Sequence, residues 1–241
     1  MKKYSVKQKK EVINRAARIL EQVYPDASCA LKYEGEPWKL LVMGRLSAQC
    51  TDARVNTVCE ELFIVFPTLE SMAQAQVSDI AAVIRPCGLF NTKAQNIKDA
   101  CVMLIAEYGG VLPDTMEKLL TLPGVGRKIA NLLLGDIYGR PSVVADTHCM
   151  RICGKLGMYP EGVKDPVKTE KILKELILPE YQTAFCHRIV MFGRDTCTAR
   201  SPKCGACPLA ELCLWRQNTA GGKSPAGNLK KGGGRLEDKQ R

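Results

Sequence analysis

The chain has 241 residues, 46% hydrophobic and 25% charged, the balance of an ordinary globular protein with enough length to bury a sizeable core. Thirty-five lysines and arginines stand against 25 aspartates and glutamates, a formal net charge of +10 that favours a polyanionic partner. No stretch has the apolar length needed to cross a bilayer, and residues 11–23 are amphipathic rather than an apolar signal core, so no membrane partner is expected and the cytoplasm is the expected compartment.

The pattern is helical almost throughout. Val6, Val12, Ile13, Ala16, Ile19, Leu20 and Val23 recur at helical spacing and give a first helix. Pro37 sits where a first helical residue is expected, ahead of an apolar helix from about Trp38 to Ala48. Thr51 and Asp52 can cap the next helix, which ends before Pro67. Ser78 is expected to cap a helix through Ile84, and Asn91 or Thr92 one through Tyr108. Asp114 and Thr115 open a short helix to Leu120, and a glycine turn then leads into a helix from Arg127 to Tyr138. Asp146 or Thr147 caps another to Leu156, and further helices fit 165–177 and 180–192. No alternating strand has a partner, so the fold class is all-α. Residues 217–241 hold six glycines and many charges with almost no apolar residues, which predicts a disordered basic tail.

Two places along this run carry chemistry. Residues 121–128 read Thr-Leu-Pro-Gly-Val-Gly-Arg-Lys. Gly124 and Gly126 lack a Cβ, so the backbone can take positive φ and approach another chain closely. The amides of the turn and of the new helix point outward, unpaired, at the positive end of the helix dipole, which suits a phosphodiester. Lys128 lies in that helix's first turn. The same field opposes its protonation, and partial burial would oppose it further, so its amine should lose a proton more easily than a free lysine. Most segments of this kind are plain helix starts. Here, however, Asp146 follows in Val-Ala-Asp-Thr-His after a separation of eighteen residues, enough for a helix and a return loop that let the two side chains face each other. Asp146 suits a plain N-cap equally well.

The second place is near the far end. Cys197, Cys204, Cys207 and Cys213 give the spacing C-x6-C-x2-C-x5-C. Four thiolates this close point to a metal centre rather than disulfides. The spacing is neither of the common ferredoxin runs nor the usual zinc pattern of two separated pairs, so iron–sulfur and zinc both remain open. His148 and His187 lie outside the knot, which favours an all-cysteine site. Arg200 and Lys203 flank Ser201-Pro202 within it, where a metal staple would hold them rigid for phosphates to meet. The other eight cysteines are scattered and read as free buried thiols.

Together these segments resemble the endonuclease III branch of the helix-hairpin-helix DNA glycosylases. The matching stretches are Leu-Ser-Ala-Gln-Cys-Thr-Asp at 46–52, Gly-Leu-Phe-Asn-Thr-Lys-Ala-Gln-Asn-Ile at 88–97, Leu-Pro-Gly-Val-Gly-Arg-Lys at 122–128, Asp-Thr-His at 146–148 and the cysteine knot. Coverage runs from about residue 5 to 216. The resemblance implies a six-helix domain over 25–136 that holds the helix-hairpin-helix motif at about 115–138. It implies a second helical domain, made of 1–24 and 137–216, that holds the cluster, with DNA in the groove between them. It implies a bifunctional DNA glycosylase and abasic-site lyase of base excision repair, removing damaged, above all oxidised, pyrimidines. Lys128 would attack C1′ and form a Schiff base, Asp146 would handle protons and stabilise charge, and β-elimination would cut the strand 3′ to the lesion. Leu122, Gly124, Val125, Gly126 and Arg127 would hold the DNA backbone at the hairpin, with Arg200 and Lys203 at the knot. Gln49 and Leu89 would enter the duplex. The resemblance decides iron–sulfur over zinc, with Cys197, Cys204, Cys207 and Cys213 holding one [4Fe-4S] cluster.

The implied partner is double-stranded DNA carrying a damaged base or abasic site. The implied setting is a monomer on the nucleoid of a bacterial cytoplasm. Two other readings stand beside this one: a related mismatch glycosylase with another base preference, and a non-catalytic DNA-binding module. Lys128 argues against the first, since such enzymes often carry another residue there, and Lys128 with Asp146 argues against the second. Cys50, Ile129, Met150 and Phe192 depart from the commoner family pattern and bear on substrate range. Without the resemblance, Leu89 reads as a core leucine, Asp52 as a cap and His148 as structural.

Overall fold

The computed structural model describes residues 3–219, and among them every regular element is helical. In chain order the helices are α1 Val6–Val23, α2 Pro37–Leu46, α3 Asp52–Val65, α4 Leu69–Gln74, α5 Val77–Val83 and α6 Phe90–Tyr108. Then come α7 Met116–Leu119, α8 Arg127–Asp136, α9 Thr147–Lys155, α10 Pro166–Leu176, α11 Gln182–Asp195 and α12 Leu214–Asn218.

Two buried clusters organise them. The first runs from Leu31 to Leu134 and gathers α2 to α8. Its centre is α2, whose residues Trp38, Leu40, Leu41, Val42, Met43, Gly44 and Leu46 are buried on every side, as a helix apolar all round must be. The second takes Ile13, Ala16, Ala17 and Leu20 from α1 and joins them to α9, α10, α11 and Leu209 and Leu212 of the knot. The N-terminal helix therefore packs with the C-terminal half. A capping box starts it, with Ser5 accepting from Gln8 N–H and Gln8 returning the bond to Ser5 N–H. Polar contacts join the two halves: Arg127 and Arg194 form ion pairs with Glu170 and Asp52, and His187 Nε2 lies 2.8 Å from Asp136 Oδ1.

Several boundaries differ from the sequence expectation. Helix α4 was not expected, because Pro67 reads as a stop. Thr68 restarts the chain at once by capping Ser71 N–H, and Met72 and Ala73 bury against the core. Ser78 does not cap α5, which begins at Val77 with Gln76 as its N-cap. Packing of Ile80 and Ala81 sets that start rather than cap preference. Neither Asn91 nor Thr92 caps α6: its N-cap is Leu89, in a left-handed conformation. Helix α8 ends at Asp136, short of Tyr138, and α11 runs on to Asp195. Gln217 and Asn218, expected in the tail, belong to α12, and the tail from 220 onward lies outside the described residues.

Candidate active site

The hairpin is built by one turn. Val125 N–H donates to Leu122 O at 3.0 Å, with Pro123 and then Gly124 at the centre and Gly124 at φ 77°, the pattern of a type II turn. A Cβ on Gly124 would stand 2.7–2.9 Å from the Arg45 side chain and Asn96 Cβ, so glycine is required for space as well as for φ. Leu122 and Val125 are buried and anchor the hairpin in the first core, and their amides are bonded within the turn, to Leu119 O and Leu122 O. Gly126 caps α8, and the first bond inside that helix is Ala130 N–H to Gly126 O at 2.9 Å. The amides of Arg127 and Lys128 precede it and have no intrahelical acceptor. The Arg127 guanidinium is already engaged, donating to both Glu170 oxygens at 2.8 and 2.5 Å. Glu170 is buried and raises the arginine's pKa.

A cavity of about 640 Å³ lies between the two halves, and Lys128, Asp146, Gln49, Asp52, His148 and His187 line it. The cavity is thus shared by α8, the start of α9, the loop after α2 and one face of α11. The expected partial burial of Lys128 is not found: its side chain is exposed, because the cavity opens as a groove. Asp146 caps α9, with Oδ1 accepting from Cys149 N–H at 2.7 Å, an interaction worth about 1 kcal/mol. The capping and the cavity position coexist. His148 Nδ1 lies 3.3 Å from Arg151 Nη2. Burial pushes the His148 pKa down, and Arg151 and Arg194 push the same way against Asp146 and Asp52. Gly193 leaves room for this ring, since a Cβ there would overlap it. Of the departures from the family pattern, Cys50 lines the cavity, while Ile129 and Phe192 are buried in the two cores and Met150 is not in the lining.

Gln49 and Leu89 share an unusual backbone. Their φ values are 56° and 47°, in the left-handed region that side chains with a Cβ resist, at a cost of about 1–3 kcal/mol each. Leu89 is also 64% exposed, where a core reading of the sequence would bury it. Sequence reasoning missed two residues nearby. Lys93 is fully buried and donates to three main-chain carbonyls. Its signal was its place on the apolar face of α6, with Ala94, Ile97 and Cys101. Arg151 donates to Cys197 O at 2.5 Å and approaches its Sγ at 3.7 Å, which joins the cavity wall to the cysteine knot.

The knot's four cysteines form no disulfide, and each is partly buried. Four cysteines within residues 197–213 supply an all-sulfur donor set, the ligand chemistry that an iron–sulfur cluster takes. The knot is held by Cys197 N–H to Phe192 O at 2.8 Å and by Lys155 over the Trp215 ring at 4.2 Å. Arg200 and Lys203 are exposed on it, Lys203 lying 3.4 Å from Asp195.

Comparison with known proteins agrees with this geometry. Residues 42–179 match the family model of the HhH-GPD superfamily base excision DNA repair proteins, and 197–213 match the iron–sulfur binding domain of endonuclease III. The endonuclease III of Synechocystis is 42% identical over 207 residues, 85% of this chain and 93% of that protein. A solved non-covalent endonuclease III–DNA complex is 37% identical with a TM-score of 0.81, covering 87% of this chain and 97% of the other. A trapped endonuclease III–DNA covalent intermediate is similar at the same identity and TM-score, covering 87% and 98%.

Proposed function

The chain belongs to the HhH-GPD superfamily of base excision DNA repair proteins, in its endonuclease III family, and we propose that Lys128 and Asp146 are its catalytic pair. It is a bifunctional DNA glycosylase and abasic-site lyase. The observation that carries the assignment is that Lys128 and Asp146, eighteen residues apart, line one groove between the two halves.

The chemistry follows from what these groups offer. A damaged base must leave the stack before the sugar can be reached. Gln49 lines the groove and Leu89 is exposed, and in this reading they take the vacated space and the opposite strand, an amide suited to an orphaned base and an apolar wedge suited to a base step. The free Lys128 amine attacks C1′ and the base leaves with its bonding electrons. The Asp146 carboxylate, fixed by its cap to Cys149 N–H, stabilises the positive charge that develops at the sugar. Ring opening gives the Schiff base between Lys128 and C1′. Loss of a C2′ proton then breaks the C3′–O bond and releases the 3′ phosphate, and water frees the lysine.

We place the phosphate contacts at the amides of the 122–128 hairpin and at Arg200 and Lys203. Arg127 contributes through its backbone, since its guanidinium serves Glu170. We read the two buried clusters as the two domains that flank the DNA. Cys197, Cys204, Cys207 and Cys213 hold one [4Fe-4S] cluster, which braces the loop between them and supplies no electron to the reaction. Damaged pyrimidines, oxidised ones first, are the proposed substrates, and a monomer on bacterial DNA is the proposed setting. Bacterial relatives support that setting, and among the described residues no helix is long and apolar enough to cross a membrane.

Borohydride trapping on a panel of duplexes, each with one lesion, tests the reading. Covalent attachment on duplexes with oxidised pyrimidines or an abasic site is expected. Attachment confined to mismatched bases would favour the mismatch reading, and none on any duplex would leave a binding module.

A further inference from the structure

Lys93 has no exposed surface and no carboxylate beside it. Its ammonium donates to Leu46 O at 2.9 Å, Ala48 O at 2.8 Å and Cys87 O at 2.9 Å. Those bonds use all three of its donors, which is the condition for keeping a charge in a core. Burial nonetheless pushes its pKa down. The three carbonyls belong to two separate loops. Leu46 ends α2, where the helix dipole favours a cation, and Ala48 immediately precedes Gln49. Cys87 lies two residues before Leu89. One side chain on α6 thus clamps both loops just before the residue in each that holds a left-handed φ. Such a conformation persists only where its surroundings over-determine it.

We propose that Lys93 is a positioning residue that locks the Gln49 and Leu89 loops together, so that both side chains enter the duplex as one unit. It governs opening of the lesion site rather than attack at C1′. The proposal rests on the reading of Gln49 and Leu89 as the side chains that enter DNA.

Lys93→Met keeps the length of the side chain and removes every donor. Two substrates separate its role from folding and from the Lys128 chemistry: a duplex with a damaged pyrimidine beside 2-aminopurine, and a single strand with a ready-made abasic site. On the duplex, the rise in 2-aminopurine fluorescence on binding is expected to be lost. Base excision should fall about 10²-fold, the loss that a misplacement of about 1 Å brings. Borohydride trapping on the single strand, where nothing has to be opened, should match the unsubstituted protein. Equal losses on both substrates would overturn the proposal, as would normal unstacking and excision. Failure of the unsubstituted protein to trap on an abasic-site duplex as well would instead count against Lys128. Should Lys93→Met not fold, Lys93→Gln, which keeps two donors, is measured in the same way. An unfolded Lys93→Gln would also contradict the proposal, because the lysine would then serve the whole fold.

Discussion

Lys128 is exposed at the wall of an open groove, and Asp146 reaches the same groove from a helix start. In the proposed mechanism the two carry different parts of the reaction, so they should fail differently. Asp146→Asn keeps an N-cap of nearly equal quality, and the fold should survive. The loss is one fixed charge beside a developing cation. Base excision should therefore fall by about 10²-fold, the order seen when one preorganised electrostatic group is removed. Cleavage of a ready-made abasic site should suffer less, because the glycosidic bond is already broken. Single-turnover rates on the two substrates check this, and excision at the unsubstituted rate would reduce Asp146 to a cap. The places of both residues at helix starts were legible in the sequence because a glycine turn and a helix cap are local patterns with fixed offsets, while their proposed roles came from the family resemblance. Lys93 was not, since a lysine among apolar residues gives no hint of three carbonyls from distant loops. Nor does the sequence reveal the positive φ of Gln49 and Leu89, which is imposed by what surrounds them.

At the scale of elements, the hairpin combines a left-handed glycine with a tight approach to Arg45 and Asn96. Gly124→Ala should cost roughly 1–2 kcal/mol for the backbone alone, with more for the contacts. At about 2–4 °C per kcal/mol in a chain of this size, the thermal midpoint should drop by several degrees. Lesion-duplex affinity should drop with it as the hairpin amides move. Unchanged affinity would remove the hairpin from the DNA contacts. Arg127→Ala is expected to behave in the opposite way. It strands the buried Glu170 carboxylate, so stability should fall by about 1–3 kcal/mol, reduced from a fully buried pair because the arginine is partly exposed. The salt dependence of DNA binding should stay the same. A flatter salt slope would return the guanidinium to the phosphate backbone. Most helices were legible from their period and caps. Helix α4 and the start of α5 were not, because burial against α6 outweighed the local signals at Pro67 and Ser78.

At the scale of the whole molecule, the charge of +10 suits a polyanion, and the groove lined by Lys128 and Asp146 lies between the two buried clusters. Composition indicated the partner but not the pairing of α1 with α9–α11, because no local pattern records which distant helix fills a face. The proposed DNA contacts extend to the knot. Anaerobically prepared protein should carry about four irons and four acid-labile sulfides on Cys197, Cys204, Cys207 and Cys213. Replacing Arg200 and Lys203 together by alanine should keep the iron content and weaken DNA binding. The slope of log affinity against log salt should flatten by up to about 1.8, two phosphate contacts at 0.9 each. One zinc and no iron would contradict the cluster, and an unchanged slope would take the loop off the DNA.

The central claim is that Lys128 becomes covalently joined to the sugar during catalysis. Its most direct measurement is borohydride reduction on an abasic-site duplex, followed by proteolysis and mass spectrometry of the peptide that carries the DNA remnant. The account predicts one adduct, on Lys128, and no trapping by Lys128→Ala that still binds the duplex. An adduct on any other residue, or normal trapping by Lys128→Ala, would contradict it.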